Sequence, residues 1–573
     1  MIILPYPKKM EELGGKLKCT AFNTQCDDAE VGALYKDFSD ANADCIIKLS
    51  KDLALAEEEY KLEVGESGVS IKYSKPVGAY RALTTLRLII SQSENSEIGF
   101  IKIHDYPSLK NRGYMLDISR GRIATLDHIK RIVDMMADLK YNQLQLYMES
   151  LVYEYKNFPQ YLKDVMYLTQ AEIKELDKYC ADRFISLVPN QNSFGHMGEW
   201  TKKEELSHLA ITDADGKPSA TLNPLKEETL EFIDKIYDGY FDAFSSDIVN
   251  IGMDEPNELG LNETKEECDK RGIGAVFTEH LKKVCDLISN KYKKTPMFWD
   301  DIVFLHPEQL DNLPKDATLM HWGYEANHRF DRNCSMIKER GLKFYVCPGT
   351  SMWQSFTGRT NNSIANMRSA AEAADYYGGE GFLLTEWGDF GHPQMPAMTY
   401  FPLAYGAGIS WDVPGHISNA DLVDLIKGYM DKYIYKTMGD KSLADIVYRM
   451  GNYYLLEEYP RANATETSMY MFDHDHIKKS KIEGFRRVYK YMTDIKDELS
   501  AVKADSDMME DIVFSCDLVI FISRLMSGMH DGIEEEKKDI INRYKKLWVK
   551  TSYDSGQDIF IKILEKAFED YTK

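Results

Sequence analysis

The sequence predicts an α/β protein built on a (β/α)8 TIM barrel, with an N-terminal α+β domain and a C-terminal helical domain. Three observations carry this. Short apolar strands alternate with amphipathic helices through the middle of the chain, the pattern of parallel βα units. The first hundred residues mix strands and a helix instead, and the last hundred and fifty read mostly as helix. At 573 residues the chain is also too long for one small core. The expected domains are 1–107, 108–415 and 416–573.

In the first domain "SGVSIKYS" alternates as a half-buried strand does, and "GAYRALTTLRLII" follows with helical spacing. Pro107 and Gly113 punctuate the junction at "IHDYPSLKNRG". Eight strands are then predicted: 113–119, 143–148, 184–190, 247–253, 295–300, 317–322, 343–347 and 381–387. The helix after the first is well marked, with Thr125 as cap, Asp127 in its first turn, and Ile129, Ile132, Val133 and Met136 on one face. Beyond residue 415, stretches such as "NADLVDLIKGYMDKYIYKTM" and "MEDIVFSCDLVIFISRLMSGM" predict helices. The acidic run "DGIEEEKKD" is expected to be a solvated helix. "FDHDH" at 472–476 is read as caps and solvated polar residues rather than a metal site.

Composition narrows the function classes. Aromatics make up 12% of a chain with formal net charge -22. That charge repels phosphate backbones and anionic bilayers, so neither nucleic acid nor membrane is an expected partner. No run approaches the ~20 apolar residues needed to span a bilayer. The start does not read as a signal peptide. The nine cysteines lack a CxxC pair and read as reduced thiols, so a cytoplasmic protein is expected.

In a (β/α)8 barrel the chemistry sits at the C-terminal strand ends. Asp117 closes the first strand and Arg112 opens it; His196 follows the third; Asp254 and Glu255 follow the fourth. Trp299, Asp300 and Asp301 end the fifth, His321 and Trp322 the sixth, Trp353 follows the seventh, and Trp387 and Asp389 follow the eighth. With Trp200, five of the seven tryptophans fall at or just past strand ends. Flat aromatic walls with carboxylates between them suit a sugar ring, which stacks through C–H faces and hydrogen-bonds through hydroxyls. Pro256 is expected to keep Glu255 extended, so that the pleat aims the two acids differently. Adjacent acids cannot flank a glycosidic bond at the ~5–5.5 or ~6.5–9.5 Å of two-carboxylate glycosidases. They suit a reaction whose nucleophile belongs to the substrate.

"NRGYMLDISR", "NQNSFGHM", "NIGMDEPNELG", "FWDD" and "TEWGDFGH", in this order, resemble glycoside hydrolase family 20, the β-N-acetylhexosaminidases, most nearly the intracellular type of Gram-positive bacteria. The resemblance implies exo-acting, retaining removal of terminal GlcNAc or GalNAc, with the substrate's acetamido oxygen as nucleophile and no cofactor or metal. It implies Glu255 as general acid and base, and Asp254 as the group that holds the acetamido N–H. Trp299, Trp322 and Trp387 would box the acetamido group, Trp353 or a tyrosine that the motifs do not place would do the work of the family's acetamido-binding tyrosine, and Arg112 and Asp389 would bind ring hydroxyls. His196 and Asp117 would stand behind them. The sequence departs from the family at Met253, where a glycine is usual. The expected partner is an amino-sugar glycoside or oligosaccharide, with a homodimer possible through the helical domain. Two alternatives are a non-catalytic sugar-binding protein on the same barrel and a metal-dependent barrel hydrolase using His196, Asp254 and Asp300.

Overall fold

The computed structural model describes residues 1–572 apart from 27, 29, 33, 36, 37, 41 and 473–481. The Asp-His alternation of "FDHDH" therefore lies outside the described residues. Six strands form the N-terminal sheet: Lys9–Lys18, Phe22–Gln25, Cys45–Lys51, Tyr60–Gly65, Gly68–Tyr73 and Glu97–Asp105, in spatial order 1-6-4-5-3-2. Alternation in Tyr60–Gly65 and Cys45–Lys51 turns one sheet face inward. The helix Pro76–Ser91 buries Ala79, Ala82, Leu83 and Leu86 against it.

Eight parallel strands close the barrel: Asn111–Asp117, Gln143–Met148, Ser186–Gln191, Ile248–Asn250, Thr295–Trp299, Thr318–Trp322, Lys343–Cys347 and Gly381–Glu386. Because both barrel faces are covered, Gln143–Met148 and Gly381–Glu386 are buried at every position. The helix Leu126–Asp138 begins as read, with the Thr125 hydroxyl accepting from the His128 amide at 3.3 Å.

Arg112 lies at the opposite end of the barrel from the expected one. It opens the first strand, so it belongs to the floor, where the N-terminal domain docks. Its guanidinium donates to Glu58 at 2.7 Å and to the carbonyls of Leu109, Lys110 and Lys140, and it lies over the Trp411 ring at 4.9 Å. Arg81 donates to the same Glu58 carboxylate at 2.9 Å. Burial would raise Glu58, but Arg112 and Arg81 outweigh it and hold the carboxyl down at about 2. Lys140 and Asp105 form a second buried pair at 2.9 Å in this seam. Arg112 is a structural residue of the joint between the two domains. Nor does Trp200 face the barrel mouth: it is buried among Tyr155, Phe158 and Phe232.

The helical region contains Asn419–Tyr429, Leu443–Met450, Ile482–Ser500, Met509–Met526, Ile533–Thr551 and Gln557–Thr572, with a two-residue strand pair at 437–438 and 503–504. Met509–Met526 is apolar on nearly every side because neighbouring helices surround it. The acidic run places Glu534, Glu535 and Glu536 in the first turn of Ile533–Thr551, where carboxylates favour a helix start. The region is stitched to the barrel: Thr125 donates its amide to Thr551 at 3.0 Å, Tyr553 donates to Ile123 at 2.9 Å, and Arg122 lies over Trp548 at 4.1 Å. Among the described residues, no helix is long and apolar enough to cross a membrane.

Removing Glu58 leaves two guanidinium groups buried without their shared carboxylate, which typically costs about 3–5 kcal/mol. Glu58→Ala is expected to lower the denaturant midpoint clearly while leaving the properties of the folded cleft unchanged, as measured by chemical melts alongside ligand binding. A midpoint equal to that of the native chain would remove the joint from its structural role.

Candidate active site

The fourth barrel strand stops at Asn250, although its bonds to the fifth run on through the Ile251 amide and the Gly252 carbonyl before the acid pair. Gly252, Met253 and Glu255 have φ of 74°, 81° and 46°. The expected extended geometry of Glu255 is thus replaced by a left-handed one, and tertiary contacts explain why. The Asn192 carboxamide oxygen accepts from Ser193 at 2.9 Å and Met253 at 3.2 Å, while its nitrogen donates to Asp254 at 2.7 Å. A Cβ on Gly252 would sit 2.2 Å from that oxygen, and one on Gly195 would sit 2.1 Å from the Asp254 carbonyl. The Glu255 amide is held by Asp301 at 3.1 Å. These anchors outweigh the preference of a residue before proline, and hold Met253 and Glu255 at a conformation that costs on the order of 1–3 kcal/mol each.

The two carboxylates end in different surroundings. The Asp254 side chain is 7% exposed and the Glu255 side chain 47%. His196 lies between them, its Nε2 3.3 Å from Asp254 and 3.2 Å from Glu255. Burial alone would depress His196, but the two carboxylates outweigh it and raise it to about 10, so the ring is cationic at neutral pH. Burial would likewise raise Asp254, but His196 and the Asn192 amide hold it below the usual carboxylate range. For Asp301 the Glu255 amide is too little help. Burial, with Asp254 close by, pushes it up to about 8.

Around this pair the strand ends enclose a cleft of about 940 Å³ including its open mouth. His196, Asp254, Glu255, Trp299, Trp322, Trp353, Trp387 and Asp389, all expected from the sequence, line it together. Trp299 and Trp387 meet at a ring separation of 5.8 Å. Asp117 lies behind, accepting from the amides of Ser119 at 2.8 Å and Gly388 at 2.9 Å. Asp300 is turned away, paired with His321 Nδ1 at 3.1 Å, so it does not join His196 and Asp254 as a ligand set.

Several lining residues escaped the sequence reading. Arg120 is a second cation at the cleft, bonded to Asp389 at 2.8 Å and Glu149 at 3.1 Å, with its guanidinium 5.0 Å from the Trp387 ring centre. Its signal was available: it follows the C-terminal end of the first strand, whereas Arg112 precedes that strand's body. Tyr324 accepts the Trp387 indole N–H at 2.8 Å and stacks on Trp322 with ring centres 5.1 Å apart. It stands two residues past Trp322, just beyond the end of the sixth strand. Gln354 donates to Asp389 at 2.7 Å, and Asn463 enters from the helical region; neither has a sequence signature.

A closed eight-stranded barrel with an acid pair and an aromatic cleft at its C-terminal mouth defines a class, a carbohydrate-active barrel. Comparison places it more narrowly. The description "Glycosyl hydrolase family 20, catalytic domain" matches residues 110–380, and "Glycosyl hydrolase family 20, domain 2" matches residues 2–106. The chain belongs to glycosyl hydrolase family 20. It is 27% identical over 315 residues to the β-hexosaminidase subunit beta of Entamoeba histolytica, covering 50% of this chain and 53% of that protein. Against the β-hexosaminidase of Vibrio furnissii identity is 23% over 401 residues, covering 61% and 63%. The chain thus spans between about half and two thirds of the length of these curated relatives. In fold it is similar to the Flavobacterium johnsoniae chitobiase structure, with TM-score 0.63, 16% identity, and 98% and 99% of the two chains covered. The β-N-acetylhexosaminidase structure from Bacteroides fragilis gives TM-score 0.62 at 17% identity, covering 75% and 95%.

Asp301 makes a pH prediction. Its folded pKa, about 8, exceeds an unfolded carboxylate's ~3.9, so the folded state binds the extra proton between these values. The proton's stabilising contribution is complete below pH ~4 and is lost as pH rises through about 8. Asp301→Asn is expected to flatten the fall in melting temperature across that window, measured by thermal melts at closely spaced pH. Parallel profiles for the two proteins would contradict it.

Proposed function

We propose that the chain is a retaining exo-β-N-acetylhexosaminidase that removes terminal β-linked GlcNAc or GalNAc by substrate-assisted hydrolysis. The observation that carries this reading is the split between neighbouring acids. Asp254 is buried, anionic and held by His196 and Asn192, while Glu255 is exposed to the cleft. Consecutive residues on one wall suit a substrate that brings its own nucleophile, as family 20 substrates do.

In this reading Glu255 protonates the leaving oxygen as the acetamido oxygen attacks the anomeric carbon, and an oxazolinium forms. Asp254 accepts the acetamido N–H and balances the positive charge. Glu255 then takes a proton from the water that reopens the ring by attacking the face the leaving group has vacated, giving retention. Trp299, Trp322 and Trp387 box the acetamido group, and Tyr324, rather than Trp353, donates its hydroxyl to the acetamido oxygen. Arg120 and Asp389 take the ring hydroxyls, the role expected of Arg112. No step calls on a cofactor. The names of the relatives above, β-hexosaminidases and a chitobiase, support the substrate class.

Asp254→Ala is expected to lower kcat/KM on an aryl β-GlcNAc glycoside by at least about a hundredfold. Glu255→Gln should lose about 10²–10⁴-fold with poor leaving groups and much less with activated ones. A GlcNAc thiazoline should inhibit the native chain strongly, because it resembles the proposed intermediate. Undiminished hydrolysis by Asp254→Ala would sink the assisted mechanism. GlcNAc binding without turnover in the native chain would favour a sugar-binding protein.

A further inference from the structure

The matched catalytic domain ends at residue 380, yet the cleft does not end there. Asn463 lines the same cleft as the acid pair and arrives from the helical region, after the helices Asn419–Tyr429 and Leu443–Met450. Its segment is fastened to two barrel loops that themselves face the cleft. The Asn463 amide donates to Glu325 at 2.7 Å, next to Tyr324, and Glu325 is fixed by the two terminal guanidinium nitrogens of Arg359 at 2.9 and 3.0 Å. Arg359 also donates to the Arg461 carbonyl at 3.3 Å.

Two residues on, the Thr465 amide donates to the Gln354 carbonyl at 2.9 Å, and the Ser468 hydroxyl donates to the same oxygen. Gln354 in turn donates its side-chain amide to Asp389, the partner of Arg120. Tyr453 bonds both Ser355 and Thr465, at 2.7 and 2.9 Å, and so ties the helical segment to the loop after the seventh strand.

Asn463 itself has φ of 57°, a conformation in which asparagine is among the tolerated residues. Its side-chain oxygen is buried without a hydrogen-bond partner in the protein, which is costly unless a ligand or solvent supplies a donor. A carboxamide held rigidly by its backbone, with an unmet acceptor, in a cleft already lined by tryptophans and an Arg–Asp pair, has the form of a hydroxyl-reading group.

We infer that Asn463 of the helical region completes the substrate cleft as a specificity residue, hydrogen-bonding a hydroxyl of the bound amino-sugar glycoside. This inference rests on the hexosaminidase reading above and extends it to a part of the chain outside the family match. The role is binding rather than chemistry, since the acid pair stands on the fourth-strand loop.

Asn463→Gly separates the side chain from its backbone. Glycine keeps the left-handed conformation at no steric cost while removing the carboxamide. The native chain and this variant are compared on aryl β-GlcNAc and β-GalNAc glycosides, with melting temperature measured in parallel. The expected result is a rise in KM of about five- to tenfold on at least one of the two epimers, kcat within about twofold, and an unchanged melting temperature. Native-like KM on both epimers overturns the inference and leaves the hexosaminidase reading intact. A fall in kcat alone, or a rise in KM seen only with a lowered melting temperature, overturns it in favour of a structural role. No turnover by the native chain removes both.

Discussion

An imidazolium wedged between adjacent carboxylates is what lets Asp254 and Glu255 share one cleft. A buried aspartate beside a second acid would otherwise be driven toward protonation, and Asp254 is instead held below the usual carboxylate range. His196 removes that conflict by sitting about equally far from both, and Asn192 adds a hydrogen bond to the buried member alone. The result is asymmetry: one acid is kept anionic and the other is left facing the cleft. The left-handed turn through Met253 and Glu255 serves this arrangement, because an extended backbone would have carried the pair along the strand axis. The strain of that turn is offset by its anchors, Asn192 beneath it and Asp301 beside it.

A second constraint is the supply of cations. The cleft and its backing gather Asp117, Glu149, Asp254, Glu255 and Asp389, in a chain that is acidic overall. Arg120 contacts three of these, with Asp117 at 3.6 Å as well as Glu149 and Asp389, and its planar face lies near Trp387 and Tyr147. A flat guanidinium can do this where a lysine could not, since it offers several in-plane donors and an aromatic-compatible face. His196 and Arg120 divide the carboxylates between them, one near the acid pair and one near the outer wall.

Much of this was legible in the sequence because it depends on local pattern. The barrel strands are short apolar runs of regular recurrence, and the tryptophans at four of their ends converge as the (β/α)8 rule requires. The same rule, applied strictly, separates Arg112 from Arg120. A residue that begins a strand belongs to the floor, and one just after its end belongs to the mouth. Arg112 was drawn toward the cleft by its motif, while its partner Glu58 lies in another domain, at a distance no local pattern records. Trp200 shows the limit of proximity to a strand end, since it lies on a short helix that turns it into the core. The backbone of Glu255 departs from the extended form because Asn192 and Asp301, from elsewhere in the chain, override the local preference that Pro256 exerts. Asn463 is the extreme case: the bonds that seat it reach back to Glu325 and the loop that holds Gln354.

That seating has a consequence in time. A ribosome delivers the barrel strands, the acid pair and the tryptophans well before it delivers residues 453–468, and later still the segment that pairs with Ile123 and Thr125. While the chain is being made, Arg359 can already hold Glu325 and Asp389 can hold Gln354, but the bonds these two loops receive from Asn463, Thr465 and Ser468 are missing even after the eight strands are able to close. The finished cleft is therefore a late event of synthesis, and a nascent chain bearing the full family match would still carry an unwalled pocket.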